Sequence, residues 1–136
     1  MILLQLSAST LLLPVAYFLL HTPTKTAPQY ALAAALMVVF ASSQLFWRNP
    51  VKNSSMHRID AFIAKLTVFG FVAYTLICAL STITRIIPYA AVIVAIGLAA
   101  AVGHRHSSKK WCSAGHIYAH GLLHVIGAIG ATYAFL

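Results

Sequence analysis

The chain has 136 residues, 61% of them hydrophobic and only 7% charged, with a formal net charge of +8 and a mean hydropathy of +0.89. A soluble domain carries about 25% charged residues, and no soluble fold this small could hide so much apolar surface, so lipid must be the solvent for much of the chain. Asp60 is the single acid against nine Lys and Arg. Those cations sit in short loops between apolar runs, where they act as topology signals and headgroup contacts. No basic-aromatic platform accompanies them, which excludes a nucleic-acid binder.

Taken in order, the apolar runs predict five transmembrane helices in a single domain spanning residues 1–136, an all-α membrane bundle. The first covers about residues 2–20, with Pro14 expected to kink it. It lacks a basic leading stretch and a small-residue cleavage site, so it reads as a retained helix and not as a signal peptide. A polar turn bounded by Pro23 and Pro28 follows. The second helix covers 29–47 and ends in the polar patch Ser42-Ser43-Gln44. The third, 56–84, has His57 and Asp60 in its first turns. The fourth, 86–103, has Pro88 in its first turn, as helix starts allow. A basic loop, 104–110, leads to the fifth helix, 111–136. Cys78 and Cys112 are too few for a disulfide framework; Cys78 reads as a small core residue.

Orientation follows from the cations. Arg48, Lys52, Arg58, Arg105, Lys109 and Lys110 flank the two loops on the N-terminal side, whereas Lys25 and Arg85 lie on the other. The bias predicts a cytoplasmic N-terminus and an external C-terminus. Trp47 and Trp111 then fall at one interface and Tyr30, Tyr89 and Tyr133 near the other, as an aromatic belt requires. Small-residue stripes, Ala91/Ala95/Ala99/Gly103 and Gly127/Ala131, predict close helix packing or a homo-oligomer face. No internal repeat is visible.

The candidate chemistry lies in the fifth helix. His116, His120 and His124 recur at i, i+4 and i+8, on one helical face and within one leaflet, each step rising about 6 Å. Ionisable groups at membrane depth are costly and usually face the protein interior. Asp60, His57 and Ser43 fall at the same depth. One histidine pair could grip a zinc ion, with a further ligand from His57, Asp60 or the remaining histidine, and an activated water in the open position. Asp60 could act as base or orient a histidine, and Ser43 could meet a developing oxyanion. The bland alternative is that these residues are interhelical hydrogen-bond glue.

Ser43-Gln-Leu-Phe-Trp47, His57-Arg-Ile-Asp60 and His120-Gly-Leu-Leu-His124 together resemble a reduced form of the CREST pattern. That superfamily includes the alkaline ceramidases, adiponectin-receptor-like and haemolysin III-like proteins. The resemblance implies zinc-dependent hydrolysis of a lipid amide or ester, with Ser43, Asp60, His120 and His124 at the matching positions. The chain departs from the pattern in having five helices instead of seven, and Trp47 where the family carries a zinc-binding histidine; His57 or His116 would have to substitute. Ser54-Ser-Met-His57-Arg58 is also similar to a segment of the succinate dehydrogenase membrane anchor, which implies haem or quinone binding with His116 or His120 as axial ligand. A third expectation is a non-catalytic accessory subunit of a membrane complex. The sequence names neither the substrate nor the membrane.

Overall fold

The structure, a computed structural model, describes residues 1–79 and 83–136. Five helices among the described residues are long and apolar enough to cross a membrane: Ile2–His21, Ala27–Arg48, Ser55–Cys78, Ile83–Lys109 and Ala114–Phe135. No strand occurs among the described residues.

The first span is broken into α1 (Ile2–Ser9) and α2 (Leu12–His21). Pro14 has no N–H to give the carbonyl four residues back, which belongs to Thr10. The break falls there, one turn before the proline. Local i→i+3 bonds bridge it, from Thr10 N to Ser7 O and from Leu13 N to Thr10 O. Next, α3 (Ala27–Arg48) starts at a capping box made by Thr26 and Gln29, with Pro28 in its first turn. Then α4 (Ser55–Tyr74) passes into a π-helical turn, Thr75–Ala79.

The second half differs from expectation at its boundaries. The fourth helix, expected over 86–103, is α5 (Ile83–Lys109), and Pro88 lies inside it. Thr84, expected to end the third helix, belongs to α5; residues 80–82 of that expected helix lie outside the described residues. The expected basic loop 104–110 is helical through Lys109, since it has no glycine or proline to stop it. Its cations also suit the negative end of the helix dipole. The fifth helix, α6 (Ala114–Thr132), starts three residues later than expected and ends in a 3₁₀ turn, Tyr133–Phe135. Cys78, expected in the core, is exposed.

α5 and α6 pack most extensively, followed by α3 with α4, while α1 and α2 lie against both α3 and α6. α4 and α5 have hardly any direct contact among the described residues. Small residues explain the α5–α6 approach: a Cβ on Gly103 would lie 3.5 Å from the Ala119 Cβ, and one on Gly130 only 3.0 Å from Val92. Gly127 does not share this role, because a Cβ there would meet nothing within 4 Å.

The apolar core lies toward one end, where Phe18 and Phe135 meet at 4.8 Å among Leu36, Val39, Phe71 and Ala131. A second cluster, Leu4, Phe46 and Trp47, lies toward the end that carries both loops at 49–54 and 110–113. Those loops touch: Trp111 Nε1 donates to Pro50 O at 3.0 Å, and Lys52 Nζ donates to Ser107 O at 3.0 Å.

At the opposite end Gln29 ties two termini together. Its side-chain oxygen accepts from Thr26 N at 3.1 Å, and its Nε2 donates to Ala134 O at 3.1 Å. Gln29→Ala removes a cap and an interhelical bond at once. The expected loss is about 1–2 kcal/mol, read as a lower thermal midpoint of the detergent-purified protein.

Candidate functional site

Two turns of the same design begin α4 and α6. In the first, Ser54 Oγ accepts the His57 N–H at 3.1 Å, and Asn53 N donates to His57 Nδ1 at 3.0 Å. In the second, Ser113 Oγ accepts the His116 N–H at 3.3 Å, and Cys112 N donates to His116 Nδ1 at 3.3 Å. Each turn places its leading residue in left-handed backbone, with φ of 62° at Asn53 and 55° at Cys112. The reciprocal bonds hold that strained conformation in place. This Ser-x-x-His turn is therefore an internal repeat, hidden in sequence because only the serine and histidine are shared. Trp111 lies between the two histidines, with its ring 5.0 Å from His57 and 4.6 Å from His116.

Asp60 lies one turn beyond His57 and is 5% exposed. Its Oδ1 accepts from Ser42 Oγ at 2.8 Å and from Ser43 Oγ at 2.9 Å. Ser43 and Asp60, expected only to share a depth, bond directly, and Ser42 joins them. Both hydroxyls come from one turn of α3, so the carboxyl is clamped across the α3–α4 contact. Ser42 Oγ also reaches its own helix at Val39 O.

His120 and His124 continue from His116 along one face of α6. Neighbouring rings lie 6.0 Å and 5.0 Å apart, both edge to face. Trp47, fully buried, sets its ring edge to face with His120 at 4.8 Å. Its indole Nε1 has no hydrogen-bond partner among the described residues. His124, 7% exposed, meets Ser7 of α1, with Ser7 Oγ 2.9 Å from Nδ1. Ser7 Oγ also lies 3.0 Å from Leu4 O in its own helix. One hydroxyl proton faces two acceptors. If it goes to Leu4 O, His124 carries its proton on Nδ1 and turns a bare Nε2 outward; if it goes to Nδ1, Nε2 is protonated. The glycine at 121 makes room for this contact, since a Cβ there would lie 3.4 Å from Ser7 Oγ.

These groups share a cavity of about 570 Å³ bounded by α3, α4, α5 and α6. That is within the usual range for small-molecule sites, about 300–1,000 Å³. Ser43, Asp60, His57, His116, His120 and His124 line one end, and the remainder is mainly apolar, including Leu36, Ile93, Ile96 and Gly127, with Lys65, Thr67 and Tyr89 as polar members. The open place beside Gly127 is thus cavity wall. Because α4 and α5 scarcely meet, the gap between them faces sideways, into what would be hydrocarbon.

Sequence reasoning passed over two residues here. Ser7 gave no signal, being one of many serines in an apolar run. Lys65 did: it is a cation inside an apolar helix and not in a loop, contrary to the expectation for the basic residues. It is exposed and lines the cavity.

A zinc site of the expected kind needs at least three protein ligands. His120 and His124 offer two ligands one turn apart, half of a tetrahedral shell. Among the described residues no three His, Cys, Asp or Glu side chains gather to hold a metal ion. His57 and His116 each already use Nδ1 in a helix cap. Burial pushes the Cys112 thiol up, away from the thiolate that a metal would need. As arranged, the side chains do not fit a three-ligand zinc site.

The Asp60 clamp carries a stability prediction. Replacing Ser42 and Ser43 together by alanine leaves a buried carboxyl without donors, at a cost of about 1–3 kcal/mol. Asp60→Asn keeps an acceptor for both hydroxyls. Thermal unfolding should therefore rank the double serine variant well below Asp60→Asn.

No protein-family model matches this chain, and no curated protein or solved structure matches it either.

Proposed function

We propose that the protein is a multi-pass membrane enzyme that hydrolyses an amide or ester bond of a lipid lodged in this cavity, with its N-terminus on the cytoplasmic side. The observation that carries the reading is the shape of the cavity. Its polar end holds the single acid of the chain and the histidine pair, its walls are otherwise mainly apolar, and it opens sideways between α4 and α5. A lipid can enter such a site from the bilayer with its acyl chain along the apolar wall and its linkage at the polar end.

Asp60 and His124 are the proton-handling groups of this proposal. Ser42 and Ser43 fix the Asp60 carboxyl, leaving its second oxygen to accept. Ser7 gives its proton to Leu4 O, a common habit of helical serines, and so holds His124 as the Nδ1–H form with a bare Nε2. Two acceptors then grip an attacking water. One takes its proton and returns it to the departing amine or alcohol, so that water and the linkage yield an acid and an amine or alcohol.

Asp60→Asn and His124→Ala should each lower hydrolysis of a fluorescent ceramide or acyl ester at least about 100-fold, the scale of general acid–base catalysis. Unchanged turnover in both folded variants would remove the proposal. The tautomer has its own readout: ¹⁵N spectra of His124 should show a bare Nε2 in the wild type and a mixture of tautomers in Ser7→Ala. Metal analysis of the wild type beside the His120→Ala/His124→Ala variant settles the zinc expectation separately. About one zinc per chain, lost in the variant, would mean that the pair recruits further ligands on binding.

A second reading, an accessory subunit of a membrane complex or a homo-oligomer, draws on the packing of His120 against Trp47 and on the broad apolar faces that α4 and α5 leave uncovered. It requires constant co-purifying partners, or a stable oligomer, and no turnover. The haem or quinone reading finds the least support, because the His116 and His120 rings are packed against Trp111 and Trp47. It requires a coloured protein with a Soret band.

A further inference from the structure

Lys65 is the one charged side chain that neither the topology nor the proposed chemistry uses. It lies ten residues beyond Ser55, the first residue of α4, or about 15 Å along the helix. The hydrocarbon layer is about 30 Å thick, so Lys65 belongs near its middle. A cation at that depth is costly, and such residues usually mark a pathway or a ligand. Among the described residues Lys65 makes no hydrogen bond or ion pair. Asp60, the only acidic side chain, is already held by two serines. The neighbours of Lys65 on the cavity wall, Ala61, Val68 and Val72, are apolar and offer no partner.

We propose that Lys65 is the anion-holding residue of a lateral lipid site, taking the carboxyl group of a long-chain fatty acid whose tail lies in the cavity between α4, α5 and α6. Three observations support this. The cation lines the gap that faces the hydrocarbon. The rest of that gap is a mainly apolar wall of α4 and α5 residues, with Thr67 and Tyr89 its polar members. Lys65 is ten residues into α4 and His124 ten residues into α6, so the cation lies at about the depth of His124. A phospholipid phosphate is anchored at the interface and carries two chains, whereas a fatty acid has one chain and a head small enough for the gap. A fatty acid is also what hydrolysis of a lipid amide or ester would release, so the site would deepen the proposed function. Binding does not depend on turnover, however, and is tested apart from it.

The chain supplies its own reporter. Trp47 and Trp111 are its two tryptophans, and both line the cavity. Palmitic acids brominated at successive chain positions would be titrated into the full-length protein in phosphatidylcholine nanodiscs, with their methyl esters and brominated phosphatidic acid alongside. Tryptophan quenching by the acid should occur at a concentration at least about tenfold below that needed by the ester, the scale of one charge-assisted hydrogen bond. Lys65→Met should abolish that preference, and Lys65→Arg should keep it. Lys65→Met should also fold, with a thermal midpoint equal to or above the wild type, because it removes a charge from lipid depth. Equal quenching by acid and ester in the wild type, or a preference that survives in Lys65→Met, would overturn the proposal. So would quenching by phosphatidic acid that matches the fatty acid, since it would mark a phosphate headgroup site. Acid-selective quenching in a protein without hydrolytic activity would uphold the lipid site and remove only the hydrolase.

Discussion

The polar side chains that join helices in this molecule answer to one constraint: inside a bilayer a hydrogen-bonding group has no water to fall back on, so its partner must come from the protein. Asp60 shows the rule most plainly. It is an acid in a chain that has no other, and it is buried on α4 where α3 presents two hydroxyls to one of its oxygens. The α3–α4 register follows from that clamp, since sliding either helix by a residue would strand the carboxyl. His124 obeys the same rule through Ser7, which ties α1 to α6. Gln29 obeys it at the other end by holding the last turn of the chain.

The spans were legible because hydrophobicity alone dictates them. About 20 apolar residues in a row can do little else in a chain so poor in charge. The shared depth of Asp60 and Ser43 was legible too, from the order and length of the spans; that the two would bond directly was not. The helix ends were less so. Residues 104–109 carry loop-like charges, but nothing among them breaks a helix, and the dipole welcomes cations there. A kink assigned to Pro14 appears at Thr10–Leu11 because a proline damages the turn before it. The Ser7–His124 contact could not be read in advance. It joins residues 117 apart in the chain, and only the rotation of α1 about its own axis selects Ser7 over its neighbours.

The histidines illustrate how one residue type divides its labour by position. His57 and His116 have identical places at the starts of two helices and do identical local work, closing a left-handed turn. His120 and His124 lie deeper on the same stripe and face the cavity. A ladder of three at equal spacing therefore consists of one cap and a pair, and spacing alone does not distinguish them. Trp47 marks the boundary: its ring takes up space beside His120 that another ligand would need, and it leaves its own N–H unmatched.

The contact at Trp111 has a mechanical consequence. Its indole bonds to Pro50 and sits between His57 and His116, so the α3–α4 hairpin is riveted to the α5–α6 hairpin at that end of the molecule. At the far end α4 and α5 are joined by the chain itself, which runs on from the turn Thr75–Ala79 to Ile83, and between the two ends they scarcely touch. A slot held at both ends widens by the bowing of its sides and not by the swing of free arms. Whatever fills it would be gripped most loosely at its middle, while the polar residues beside Trp111 stay still.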